Sequence, residues 1–247
     1  MTGKGFFIDT SRCTACRGCQ IACKMWNAPL GTKGTKTYQR GYHQNPEDLS
    51  FFTYKLVRFS EVEVDGRMNW YFFADQCRHC IEPPCKMAAE SLGYKNITRD
   101  ETTGAVLYNP KIKVKTADAQ KIRESCPWDI PRANDKTGIM AKCTMCFNRV
   151  INGLLPACVK VCPTGTMNFG DLDKMMEMAQ KRLNVVKTMY PKAELTGVDY
   201  HRAIILFVDD PKKYHKFAAA EIISKMTRMA AMKKIFQPLL NLSQLAG

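Results

Sequence analysis

Cys13-Thr14-Ala15-Cys16-Arg17-Gly18-Cys19-Gln20-Ile21-Ala22-Cys23 is the stretch that decides how this chain is organised, because it sets four thiols along a single turn-rich segment. Three further groups lie downstream: Cys77, Cys80 and Cys85; Cys126, followed by Pro127; and Cys143, Cys146, Cys158 and Cys162, the last followed by Pro163. The chain of 247 residues holds 12 cysteines, and none follows Cys162. Disulfides require facing cysteines at bridgeable geometry, whereas close C-x-x-C spacing throughout is the habit of metal sites. Structural zinc usually takes its four thiolates as two separated C-x-x-C pairs. The tight triplet Cys13, Cys16 and Cys19 suits a cubane [4Fe–4S] cluster better, with Cys23 pointing away to a second one.

In two-cluster ferredoxins the fourth cysteine of each motif ligates the cluster held mainly by the other motif, so the groups are read in crossed pairs. Pairing the first group with the last assigns Cys13, Cys16, Cys19 and Cys162 to one cluster, and Cys23, Cys143, Cys146 and Cys158 to another. Pairing the two middle groups assigns Cys77, Cys80, Cys85 and Cys126 to a third. The same spacing applied around Cys126 and Cys85 lands on Thr116, Ala119, Ile122 and Ala89. Those four positions make up one complete crossed site, so a fourth cluster has been deleted as a unit. The expectation is three [4Fe–4S] clusters on twelve cysteines.

The formal charge of +14 raises nucleic acid or an anionic membrane as partners. Three thiolate-ligated clusters at roughly −2 each would bring the total to about +8, so much of this basicity offsets bound anions and nucleic acid is not expected. No apolar run approaches the length of a membrane span, and only twelve residues precede Cys13, too few for an export signal.

Residues 51–64, the Asp65-Gly66 dipeptide and residues 68–73 read as a β-hairpin. Short strands are expected at 6–9, 106–108, 139–142, 167–169 and 202–208, with a helix starting within or just after each cysteine group. Asp171 reads as an N-cap for a helix over 172–190 ended by Pro191, and Pro211 as another helix start. Ile222, Met226, Met229, Ile235 and Phe236 fall near one helical face, which predicts packing on the domain or a partner. The fold class is α+β: two ferredoxin-like units, residues 1–69 with 135–170 forming the first and 70–134 inserted as the second. Residues 171–247 are read as a C-terminal extension that docks the partner.

Among other residues, His79 lies between Cys77 and Cys80 and reads as a hydrogen-bond donor near the cluster; His43, His201 and His215 read as ordinary. Arg17, Lys24, Arg78, Lys86 and Lys142 adjoin ligands, where they either raise cluster potentials or are solvated surface charges. No C-x-x-C-H haem motif and no nucleotide-binding glycine pattern occurs.

With these motifs, the chain resembles the four-cluster ferredoxin-type subunits of molybdenum and tungsten bis-pterin oxidoreductases, and among them the small subunit of soluble formate dehydrogenases. The likeness rests on Cys13 to Cys23, His43-Gln44-Asn45-Pro46, Cys77-Arg78-His79-Cys80, Cys126 to Arg132 and Asn152 to Gly170. It implies a large catalytic partner carrying the pterin site and interconverting formate and CO2, with no catalytic site on this chain. It also implies co-export to the periplasm on the partner's twin-arginine signal, with a cytoplasmic location as the alternative, and a cytochrome c or other redox protein as external partner. The rival readings are a thiosulfate, polysulfide or sulfoxide reductase subunit, a free-standing electron carrier, and a zinc-structured interaction protein.

Overall fold

A computed structural model describes residues 3–27 and 43–219 of the chain. Its elements in order are β1 (Lys4–Asp9), α1 (Gly18–Trp26), β2 (Leu56–Val64), β3 (Arg67–Asp75), α2 (Pro84–Ser91), β4 (Ile97–Arg99) and β5 (Val106–Tyr108). Then come α3 (Thr116–Glu124), β6 (Arg132–Asn134), β7 (Ile139–Ala141), α4 (Phe147–Val150), α5 (Ala157–Lys160), β8 (Met167–Asp171), α6 (Leu172–Val186), β9 (Glu194–Thr196), β10 (Ala203–Phe207) and α7 (Pro211–Tyr214). The class is α+β.

One four-stranded sheet, in the order β8-β1-β10-β9, organises the molecule. β1 runs parallel to β10 and antiparallel to β8. Side chains alternate across a strand, so Phe7, Ile204 and Leu206 face α6, where Leu172, Met175, Ala179, Leu183 and Val186 cover them. Phe6, Ile8, Ile205 and Phe207 face the opposite way, onto the hairpin residues Val57, Phe73 and Ala74 and onto Cys19 and Cys158. Burial on both faces explains why Ala203–Phe207 is apolar without interruption. Each large side chain so buried contributes roughly 2 kcal/mol.

The expected hairpin is β2 with β3, in register from Leu56 opposite Asp75 to Val64 opposite Arg67. Asp65 and Gly66 both have positive φ, 51° and 73°, as a two-residue turn matched to strand twist requires. The first strand begins at Leu56 rather than residue 51, because Ser50 and Thr53 close a tight turn on each other. The hairpin spans the expected domain boundary at 69/70, and the ladder of β6 with β7 spans the one at 134/135. Both boundaries cut hydrogen-bonded pairs and must move outside them.

A larger correction concerns residue 171 onward. Residues up to Phe207 are no extension: α6 covers one face of the sheet and β10 is an interior strand. Asp171 stands at the N-cap of α6 but makes no capping bond, since its carboxylate is drawn to Lys4 at 2.6 Å and Lys174 at 3.3 Å. The helix ends at Val186, before Pro191. Pro211 does start a helix, a single turn capped by the Asp210 carboxylate accepting from Lys212 N. The amphipathic face read over 222–236 lies outside the described residues.

Candidate metal centres

All twelve cysteines are described and none is in a disulfide. The sequence places a helix at each group; α1 begins within the first, α2 within the second, and α4 and α5 follow Cys146 and enclose Cys158. Cys126 departs from the pattern, because α3 precedes it and ends at Glu124. In the Cys13–Cys16, Cys77–Cys80 and Cys143–Cys146 loops the residue before the second cysteine is left-handed: Ala15, His79 and Met145, with φ of 51°, 49° and 60°. None is glycine, so each costs about 1 kcal/mol. The turn aims backbone N–H groups inward: His79 N donates to Cys77 Sγ at 3.3 Å and Met145 N to Cys143 Sγ at 3.4 Å.

The thiols gather in fours. Cys77, Cys80, Cys85 and Cys126 line one cavity, together with Trp128, Ile130 and Lys142. Cys13, Cys16, Cys19 and Cys162 line another, with Val57, Ala74 and Met167. Cys23 is the electrostatic neighbour of Cys143, Cys158 and Cys146. Among the described residues no three His, Cys, Asp or Glu side chains converge on a single-ion site. The sulfurs of each lined cavity instead surround a volume, which fits a polynuclear core.

The donor chemistry fits the same core. Burial pushes Cys126, Cys143 and Cys158 up to about 12 and Cys13 to about 11, with repulsion from neighbouring thiols adding to it. Four such thiols become thiolates together only around a cationic centre, so loading releases protons. Cys162 moves the other way: desolvation raises it, but N–H groups of Met167, Thr164 and Thr166 and the Thr164 hydroxyl outweigh that and lower it. The Asn27 amide lies 3.6 Å from Cys23 Sγ and 3.7 Å from Cys146 Sγ, a donor shared by two members of one set.

The four positions that the crossed spacing singles out beside Cys85 and Cys126 hold no cysteine. Ala89, Ala119 and Ile122 are buried and pack with Ile97, Val106, Val114 and Met140 in one apolar cluster, while Thr116 starts α3 at the surface.

Residues 68–172, which contain eight of the twelve cysteines, match the family described as 4Fe-4S dicluster domain. The formate dehydrogenase subunit beta of Megalodesulfovibrio gigas is 52% identical over 217 residues, covering 88% of this chain and 99% of that relative. The formate dehydrogenase 2 subunit beta (cytochrome c-553) of Nitratidesulfovibrio vulgaris is 48% identical, covering 87% and 98%. The formate dehydrogenase-O iron-sulfur subunit of Escherichia coli is 33% identical, covering 94% and 76%.

The chain belongs to the iron–sulfur subunits of formate dehydrogenases. Its role in that family is electron transfer on [4Fe–4S] clusters, and no helix among its described residues is long and apolar enough to cross a membrane.

Several residues besides the cysteines hold the cysteine loops in place. Gln20 bridges α1 to the hairpin, donating to Asn45 O at 2.7 Å and accepting from Val57 N at 3.0 Å. His43 packs on Phe59 with ring centroids 4.6 Å apart, so the segment from His43 to Pro46 pins the first cysteine loop to β2. His79 is buried and held neutral, first by desolvation and then by Lys142 and Arg202. Its ring accepts from Val106 N at 3.1 Å, and its backbone N–H, rather than the ring, is what reaches sulfur. His201 is not ordinary: its backbone bridges Cys80 and its ring stacks edge-on to Trp128 at 5.0 Å.

Of the five cations adjoining ligands, Arg78 and Lys142 are buried, Lys86 pairs with Glu90 at 2.7 Å, and Arg17 and Lys24 are half-buried. Lys142 donates to Val106 O and Cys143 O and lies over the Tyr108 ring, whose hydroxyl faces Cys85. Lys55 escapes any motif search; its only signal is a lone charge inside the apolar run from Phe51 to Val57.

Proposed function

We propose that this chain carries electrons through three [4Fe–4S] clusters, to or from a molybdenum- or tungsten-pterin catalytic subunit that interconverts formate and CO2. The clusters bind Cys13, Cys16, Cys19 and Cys162; Cys23, Cys143, Cys146 and Cys158; and Cys77, Cys80, Cys85 and Cys126. The observation that carries this reading is the gathering of the thiols in fours drawn from distant segments, beside an apolar cluster at the fourth site. Bound there, a cubane takes up and gives back single electrons, while the chain's residues fix its position and screen it from water. The paired arrangement supports two ferredoxin-like units, the second inserted in the first, once the boundaries are moved past β3 and β7.

The order of the sites follows from shared walls. Cys19 and Cys158 lie in one apolar cluster, and Cys143 and Cys77 in another. The site of Cys23 therefore lies between the other two, which makes a linear relay. At the first end Cys16 is exposed, and Gly18 separates its sulfur from Val161. Exposed apolar side chains lie along α1 and the loop beside it: Ile21, Met25, Trp26, Leu154 and Leu155, with Arg149 stacked over Trp26 and donating to Leu155 O. An apolar patch of this kind suits a permanent subunit contact. The catalytic subunit docks here, and the far end at Cys80 and Cys126 serves an external acceptor. A c-type cytochrome fits that role, given the relative named for cytochrome c-553, and such a pairing favours an exported, periplasmic complex.

Formate added to the two-subunit complex is expected to bleach the cluster absorbance of this chain, and to leave the isolated chain unchanged. Charging the patch with Ile21→Lys and Leu155→Lys should weaken subunit association at least about tenfold, the cost of one misplaced interface anchor. Unaltered association would put the docking face elsewhere; bleaching of the isolated chain by formate would refute a separate catalytic subunit.

A further inference from the structure

Lys55 is the most completely buried ammonium in the described chain, 1% exposed, and no carboxylate among the described residues lies within ion-pair distance of it. Its Nζ donates to Gln76 Oε1 at 2.6 Å and touches Met167 Sδ at 3.5 Å. Met167 lines the cavity of Cys13, Cys16, Cys19 and Cys162 and packs in the same apolar cluster as Cys19 and Cys158. A neutral amide and a thioether do not compensate a buried positive charge, which needs anions nearby to persist. Burial pushes the Lys55 ammonium down, yet Cys158, Cys19, Cys23 and Cys143 outweigh it and hold it up. Those thiols come from two different ligand sets. The third set has its own cation, Lys142, among its lining residues.

We propose that Lys55 is a shared positive charge between the Cys13/Cys16/Cys19/Cys162 site and the Cys23/Cys143/Cys146/Cys158 site, raising the reduction potentials of both clusters together. This rests on the three-cluster reading above. Each cluster gains one negative charge when one electron arrives from its neighbour, and a fixed cation within the same desolvated wall favours that reduced form. Because the charge serves both sites, it lifts them in step and keeps the transfer between them close to level. Lys55 is a positioning residue of charge, since it touches neither iron nor the reacting substrate.

The test is potentiometric titration, followed by electron paramagnetic resonance, of the native two-subunit complex carrying Lys55→Met, with iron and sulfide measured in the same samples. Iron and sulfide in the wild-type complex report on the three-cluster reading independently of any potential. With cluster content intact, two of this chain's three midpoint potentials should shift negative in Lys55→Met, the third should move least, and Lys55→Arg should restore both. If Lys55→Met does not assemble, Gln76→Glu places a carboxylate against the same ammonium, and the same two potentials should fall. Unchanged potentials in a fully loaded Lys55→Met or Gln76→Glu complex would overturn the proposal, as would a shift confined to one cluster.

Discussion

Cys126→Ala is expected to damage one cluster and spare two, the largest single loss the site permits. Cys126 enters from a segment 41 positions beyond Cys85, in the turn after α3, and its thiol lies against Cys85 and Cys77. Removing it leaves three of the four thiols that would hold a cubane there, and neither Trp128 nor Ile130 in the remaining lining could supply a fourth ligand. The site then loses one iron to a three-iron form or empties. The two remaining sites share no ligand with it and should keep their spectra. Loss of a different cluster, with the Cys77 site intact, would show that the crossed assignment is wrong.

Asp75→Asn is expected to cost about 3–5 kcal/mol of stability, the range for removing one partner of a buried ion pair. Asp75 sits at the end of β3 with Arg78 Nη1 at 2.7 Å and Arg58 at 3.0 Å, all three buried. The chain of charges continues from Arg58 to Asp48 at 2.6 Å, from Asp48 to Arg132 at 2.8 Å, and from Arg132 to Asp129 and Arg123. It ties the hairpin to the Cys77 loop and to the turn after Cys126. An amide in place of the carboxylate leaves two guanidinium groups desolvated without a counter-charge. For a chain of this length the melting temperature should fall on the order of 10 °C. A fall below about 2 °C would mean that the network contributes little beyond its own desolvation cost.

How much of this was legible in the sequence depended on whether the cause was local. The Asp65-Gly66 turn and the apolar run of β10 each carry their reason within a few residues, and both read correctly. β4, β6 and β9 are three-residue pairings whose sequences, such as Arg132-Ala133-Asn134, hold too few apolar positions to show a period. The left-handed residues Ala15, His79 and Met145 carry no glycine to announce them. The misreading of 171–207 has the same origin. The amphipathic spacing of α6 was visible, but nothing local says that its apolar face covers Phe7 and that β10 pairs with a strand near residue 6. Lys55 and the Asp75 network are likewise products of distant segments meeting.

The most direct test of the three-cluster account is the iron and acid-labile sulfide content of this chain, purified natively with its partner and then separated from it without air. Three cubanes predict about twelve of each per chain, with zinc absent in stoichiometric amount. About sixteen of each would place a fourth cubane where Ala89, Ala119 and Ile122 pack, and stoichiometric zinc in a colourless chain would contradict the account altogether.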